Sequence, residues 1–240
     1  MEQFIFDKKN LGSDPSGKTI LSIDGEENFH LSRVLRVRTG EKILATDGAG
    51  KSLLCVVSSV GKESSICYVL EEYENLNAPS REFCIAMALL KPISKIETAI
   101  EKCTELGTHK FLLFYSERSE KPSPRLERLQ AIVKAAVKQS LRSRIPELVF
   151  LENLKQAVQM SVEYGRKVVL HEKAEAMAAE YLSGMKPGAS VVALVGPEGG
   201  FSDNEIAYLI ENGFASLSLG KGRLRSETAA ISAATLLSSF

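Results

Sequence analysis

Two stretches near the end of the sequence combine glycine, proline and charged residues in a pattern suited to ligand binding. The first, Gly196-Pro197-Glu198-Gly199-Gly200-Phe201, follows the apolar run Val191 to Val195. The second, Gly220-Lys221-Gly222-Arg223-Leu224-Arg225-Ser226-Glu227-Thr228, follows Ala215 to Leu219. Each reads as a buried strand entering a glycine-rich turn and then a helix. In open α/β sheets, ligands settle outside the carboxyl ends of strands, where loops and helix N-termini expose backbone donors and acceptors. Glycine lets a ligand approach backbone that a β-carbon would shield, and Pro197 stiffens its turn. The same residues also suit a plain strand-to-helix turn that needs glycine for positive φ. The expectation is one small ligand held by both turns. Phosphate patterns fail here: Gly220-Lys221-Gly222 reaches Arg225 where a dinucleotide fingerprint needs its last glycine, and no Gly-x-x-x-x-Gly-Lys-Ser/Thr occurs. Dinucleotide and ATP sites are disfavoured.

A second group of chemistry-bearing residues is cationic. In His30-Leu31-Ser32-Arg33-Val34-Leu35-Arg36-Val37-Arg38, helical spacing of Leu31, Val34 and Leu35 leaves three arginines on other faces. In the helix expected from Leu126 to Leu141, Leu129, Ile132, Val133, Ala136 and Ser140 fall on one face. Arg128, Lys134, Lys138 and Arg142 fall on the opposite one. From Arg118 to Arg144 there are 8 basic and 2 acidic residues. Such a concentration reads either as a solvated face or as a phosphate-backbone footprint, which gains affinity by releasing counterions. Over the whole chain, 30 basic residues balance 30 acidic ones, which argues against coating nucleic acid through bulk charge.

The elements that must position these residues fall into two rhythms. With 240 residues, 44% of them hydrophobic, the chain can bury one large core or two smaller ones, and two domains are expected. Up to Val69 it reads as β-rich: Lys42 to Thr46, an Asp47-Gly48 turn, Leu53 to Val60, a turn at Gly61, then Ser65 to Val69. That spacing predicts a meander curling into a small barrel. The polar stretch Glu74 to Ser80 marks the boundary between a first domain of residues 1–73 and a second of 81–240. Beyond it strands and helices alternate, with strands at Phe83 to Leu90, Phe111 to Tyr115, Val168 to His171, Val191 to Val195 and Ala215 to Leu219. This predicts an α/β domain with a mostly parallel sheet. Ser94 with Glu97, and Ser202 with Glu205, match capping boxes, and Gly107 a helix stop after Lys95 to Leu106. The last helix, carrying Ala229, Ala230, Ile231, Ala233, Ala234, Leu236 and Leu237, is apolar on most sides. It is expected to lie inside the domain or against a second subunit.

Cys55, Cys67, Cys84 and Cys103 are widely spaced, without a Cys-x-x-Cys pair or a histidine in ligand register, so buried free thiols and no metal are expected. Met1 to Leu11 lacks a secretory pattern and no window approaches the ~18 apolar residues of a spanning helix. The expectation is a cytoplasmic protein without a membrane partner.

Lys102-Cys103-Thr104-Glu105-Leu106-Gly107, Glu117-Arg118-Ser119, Gln139-Ser140 with Arg142 and Pro146, Gly196 to Gly200, and Leu219-Gly220 through Leu224-Arg225-Ser226-Glu227-Thr228-Ala229 together resemble the RsmE family. These are ribosomal small-subunit RNA uracil-N3 methyltransferases of the SPOUT class. The similarity runs nearly end to end, although Lys91-Pro92-Ile93-Ser94-Lys95 replaces a shorter Lys-Gly-Asp-Lys/Arg-like turn, so no role is carried to Lys91 or Lys95. The resemblance implies an N-terminal PUA-like RNA-binding barrel and a C-terminal SPOUT domain with a deep trefoil knot. It also implies S-adenosyl-L-methionine as cofactor, a homodimer through the C-terminal domain, and N3 of a uridine in 16S rRNA of the small ribosomal subunit as acceptor. By the same resemblance Leu170, His171, Glu172, Leu194, Gly196, Pro197, Glu198, Gly199, Gly200, Leu217, Ser218, Leu219, Gly220, Leu224, Arg225, Glu227 and Thr228 surround the cofactor. Arg225 would be catalytic, as a cation beside a uracil carbonyl that stabilises negative charge when N3 loses its proton. Its competing role is an ion pair with a carboxylate such as Glu227. Arg33, Arg36, Arg118, Lys134, Lys138 and Arg142 would contact RNA. Two rival readings stay open: a SPOUT methyltransferase of transfer RNA, and a catalytically silent RNA-binding or ribosome-assembly protein on the same fold.

Overall fold

The fold is taken from a computed structural model that describes residues 1–120, 123–186 and 188–239. Contacts divide the chain into two compact units, Met1–Ala78 with Val137–Ile145, and Pro79–Ala136 with the chain from Pro146 onward.

The first unit contains β1 (Gln3–Ile5), β2 (Leu11–Ser13), β3 (Thr19–Asp24), α1 (Gly25–Phe29), β4 (Lys42–Thr46), β5 (Lys51–Val60) and β6 (Ser64–Glu74). Its sheet runs β1-β4-β5-β6-β3-β2; β1 lies parallel to β4 and every other pair is antiparallel. Alternation along β5 sends Leu53, Cys55 and Val57 into a core with Phe4, Leu21, Ile23, Leu31 and Ile43. Register shifts between Leu54 and Cys55 and between Val57 and Ser59 bulge the long β5–β6 ladder, and such bulges bend a strand. The barrel expected from the meander is not closed by hydrogen bonds, because no ladder joins β1 to β2 among the described residues.

At the expected Asp47-Gly48 turn, Asp47 Oδ1 accepts from the N–H groups of Ala49 (2.8 Å) and Lys51 (3.0 Å). Gly48 has φ +70°, which favours glycine, and a β-carbon there would stand 2.6 Å from the Ile145 Cδ1 methyl and push it aside. Further hydrogen bonds hold residues 137–145 to this unit. Gln3 Nε2 donates to the carbonyls of Val137 and Arg142, Thr46 Oγ1 to Ser143, and Arg144 Nε to Asn75 Oδ1.

The helical stripe expected around His30 needs correction. After α1 the chain forms a π-turn over His30–Val34, in which Leu35 N–H donates to the His30 carbonyl at 2.9 Å. This i→i+5 bond widens the turn and rotates its side chains. Leu31 stays buried, but Val34 emerges 58% exposed.

The second unit contains β7 (Phe83–Ala88), α2 (Ile93–Glu105), β8 (Lys110–Phe114), the first turns of α3 (Leu126–Gln139), β9 (Glu147–Leu151), α4 (Leu154–Met160), β10 (Arg166–Leu170), α5 (Ala178–Ser183), β11 (Val191–Val195), α6 (Asp203–Glu211), β12 (Ala215–Leu217) and α7 (Ser226–Ser239). The sheet order is β12-β10-β11-β7-β8-β9, and every pair is parallel. β7 and β11 are buried along their whole length, which is why they read as unbroken apolar runs. α7 packs on α2, on β7 and β11, and on α5, burying Ala230, Ala233, Ala234 and Leu237; its small side chains let the helices approach closely. Much of its apolar surface is therefore covered within the unit itself.

One capping expectation fails and one holds. α2 begins at Ile93 with Pro92 in the cap position and no side-chain cap, so Ser94 lies inside the helix. Glu97 is instead held by the Arg128 guanidinium. The stop at Gly107 is present with φ +96°. At α6, Ser202 Oγ accepts from Glu205 N–H (3.1 Å) while Glu205 Oε2 accepts from Ser202 N–H (2.9 Å), a complete capping box.

Candidate functional site

The carboxyl ends of β10, β11 and β12 frame a cavity of about 450 Å³ within the second unit. Its walls are Leu170 to Lys173 after β10, Val195 to Phe201 after β11, and Ser218 to Gly220 with Gly222 to Ser226 after β12. Arg118, Asp203 and Ala229 complete it. Parallel strands deliver all three connecting segments to the same edge of the sheet, and that alone brings residues 170 and 225 into one cavity.

Hydrogen bonds tie the walls to one another. His171 N–H donates to Leu217 O (2.9 Å), and Ser218 exchanges backbone hydrogen bonds with Ala176 and Ala178 at 2.8 Å each. In the turn after β11, Gly196 is packed so closely that a β-carbon would meet Phe201 Cδ2 and N at 3.1 Å. Phe201 is buried and stacks on Phe114 of β8 with ring centroids 6.4 Å apart, which anchors the far end of the turn in the core. The buried Glu205 carboxylate also accepts from Glu117 N–H at 3.0 Å, fixing the loop that carries Arg118. Arg118 Nη1 then donates to the carbonyls of Gly199 (2.8 Å) and Phe201 (3.4 Å).

The two lining glutamates are both engaged. Glu198 accepts from Lys95 Nζ at 2.9 Å, and Glu172 pairs with Arg223 Nε at 3.4 Å. Partial burial pushes the Glu198 carboxyl up. The Lys95 ammonium and the backbone N–H groups of Glu198 and Lys91 outweigh this and hold it below the usual carboxylate range. Arg225 is different. It is exposed at the cavity edge, and among the described residues its guanidinium makes no ion pair or hydrogen bond, with Glu227 or any other group.

Of the expected cofactor contacts, Leu170, His171, Glu172, Gly196 to Gly200, Ser218 to Gly220, Leu224 and Arg225 line the cavity. Leu194 and Leu217 are buried in the sheet, and Glu227 and Thr228 sit in the first turn of α7; none of these four reaches the wall. Unanticipated lining residues include Arg223, Asp203 and Lys173, and Lys95 acts on the wall through Glu198. A cation four residues from an acid on a helix is visible in sequence; pairs joining α2 to a turn a hundred residues away are not.

The candidate RNA contacts are divided between the two units. Arg33 and Arg36 are exposed in the first unit. There too, Lys138 is paired with Glu27 at 3.0 Å, and the partly buried Arg142 donates to the Asn77 carbonyl. In the second unit Lys134 is exposed, while Arg118 is committed to the turn after β11. The thiols of Cys55, Cys67 and Cys84 are pushed up to about 12 by burial, and the described residues contain no cluster of three or more His, Cys, Asp or Glu that could hold a metal. No helix of the described residues is long and apolar enough to cross a membrane.

Fold and site define a class: a parallel α/β RNA methyltransferase domain preceded by an RNA methyltransferase PUA domain, since family profiles so described match residues 77–238 and 23–69. Among curated relatives, the ribosomal RNA small subunit methyltransferase E of Bacillus subtilis is 32% identical over 90% of this chain and 89% of its own. That of Mycobacterium tuberculosis is 32% identical over 90% and 85%. The crystal structure of the Neisseria gonorrhoeae ribosomal RNA small subunit methyltransferase E bound to S-adenosyl methionine superposes with a TM-score of 0.84 at 25% identity, covering 100% of this chain and 97% of that one. The chain belongs to the ribosomal RNA small subunit methyltransferase E family.

Proposed function

We propose that this protein transfers a methyl group from S-adenosyl-L-methionine to N3 of a uridine in 16S rRNA of the small ribosomal subunit. The observation that carries the reading is the cavity at the ends of β10, β11 and β12, in a chain whose relatives of this family act on that RNA. The residues present fit the group. Its volume of about 450 Å³ is that of a small-ligand site, Leu170, Leu219 and Leu224 offer apolar surface, and the glycine turns bring backbone within reach. When bound, S-adenosyl-L-methionine supplies an electrophilic methyl group on a sulfonium.

The chain's own residues then have three tasks. The turns after β11 and β12 hold the ligand, and their tethers to Arg118, Lys95 and Phe201 keep the wall in place. Rigid alignment of donor and acceptor lowers the barrier by several kcal/mol. Glu172 and Glu198 are each neutralised by a cation, which disfavours either as general base. Arg225 is unpaired and exposed at the cavity edge, which supports a role in which its guanidinium stabilises the charge a uracil carbonyl gains as N3 is deprotonated. The proposal includes a deep trefoil knot in the second unit, a homodimer through that unit, a first domain ending near residue 73, and a cytoplasmic location.

The test is transfer of labelled methyl from S-adenosyl-L-methionine to unmodified small subunits, naked rRNA and bulk tRNA, with the labelled nucleoside identified after digestion. Label in 3-methyluridine from the subunit or its rRNA is expected. Label in tRNA alone would move the substrate. Absence of label, from protein shown to bind the cofactor, would sink the reading in favour of a binding or assembly role.

A further inference from the structure

We propose that Phe29 is a stacking platform for one unpaired nucleotide of RNA, with Arg33, Arg36 and Arg38 contacting the flanking phosphates. This rests on the RNA-methyltransferase reading above and adds to it a specific readout by the first unit. Three observations converge on these residues. Phe29 is 63% exposed and Val34 58% exposed, whereas Phe4 and Phe6 of the same unit are buried. Phe29 ends α1 where the π-turn over His30–Val34 begins, and Arg36 adds a left-handed backbone (φ +54°) that non-glycine residues seldom adopt. Both features concentrate at functional sites because they cost stability.

The second observation is charge. Arg33, Arg36 and Arg38 are exposed, and none of their guanidinium groups makes an ion pair or hydrogen bond to a described residue. Residues 1–74 hold 9 basic and 12 acidic side chains, so three free arginines within six residues are a local concentration against an acidic background. On the preceding helix Glu26 is exposed, while Glu27 is held by Lys138 and faces Ile5 N–H. The third is placement: Phe29, Arg33, Arg36 and Arg38 fall within ten residues of one another, inside the stretch matched by the RNA methyltransferase PUA profile.

An exposed ring bordered by free arginines suits a nucleic acid better than a protein groove, because cations gain affinity by displacing counterions from phosphates. It suits unpaired RNA better than duplex, whose base faces are already stacked on each other.

The sequence has no tryptophan, so Phe29→Trp in the full-length protein introduces a single tryptophan at the platform, excited selectively over the six tyrosines at the red edge of absorption. Its emission is expected to quench on adding an unstructured RNA oligonucleotide, and not with the same sequence as a duplex. Phe29→Ala should weaken binding of the single strand about tenfold, with Phe29→Tyr retaining it. Arg33→Gln and Arg36→Gln should each reduce the slope of log affinity against log salt by about one. No quenching, equal quenching by duplex, or unchanged affinity in Phe29→Ala would overturn the proposal. Methyl transfer by the same Phe29→Trp protein separates the two readings: transfer without quenching removes the platform and leaves the enzyme.

Discussion

At the scale of residues, the site is a set of charges distinguished by whether they already have partners. Glu172, Glu198 and Arg118 are satisfied within the protein and act on the shape of the wall, whereas Arg225 keeps its guanidinium for whatever enters. Arg225→Ala is expected to lower turnover about 100-fold while leaving S-adenosyl-L-methionine affinity nearly unchanged, measured by single-turnover transfer and calorimetric titration. Equal losses in both would make Arg225 a cofactor contact. Glu198 supplies a pH prediction. Its carboxyl is held below its ordinary value in the folded state, so its contribution is full above the unfolded carboxylate range and is lost as pH falls through the lower, folded value. Glu198→Gln should therefore unfold with a shallower loss of stability on acidification below about pH 4.5, followed by urea midpoints across that range.

At the scale of elements, α6 does more than follow a strand. Its Glu205 closes the capping box and also holds Glu117 N–H, so one buried carboxylate links the helix start, the turn after β11 and the loop bearing Arg118. Glu205→Ala should cost about 2 kcal/mol, from the lost cap and a stranded N–H, read from urea unfolding. It should also weaken cofactor binding because Arg118 loses its anchor, and Glu205→Gln should recover part of both effects. Ser94→Ala provides the contrast. With no side-chain cap at the start of α2, it should change stability by only a few tenths of a kcal/mol, as substitutions away from such features do.

At the scale of the whole molecule, α7 is the element whose surroundings matter most. Ala230, Ala233, Ala234 and Leu237 are covered by the rest of the unit, while Ile231 and Leu236 stay partly open. The proposed homodimer predicts the mass of two chains in light scattering at micromolar concentration. A change of Leu236 to Lys should shift that mass toward one chain if this face is the interface, and a monomeric wild type would oppose the dimer outright.

Sequence alone determined what local chemistry controls. Unbroken apolar runs marked β7 and β11, Ser202 with Glu205 marked the start of α6, and glycines at 196 to 200 and 220 marked turns that later proved to be cavity walls. These follow from periodicity, capping and backbone freedom, which act over a few residues. Tertiary structure decided the rest. It placed residues 137–145 with the first unit through hydrogen bonds to Gln3 and Thr46, gave Glu97 to Arg128 instead of to a cap, and turned Val34 outward through a π-turn. It also separated Leu194 and Leu217, which the sheet buries, from Arg223, which the cavity exposes. Each of those outcomes depends on partners distant in the chain, and side-chain spacing carries no record of which distant group will arrive.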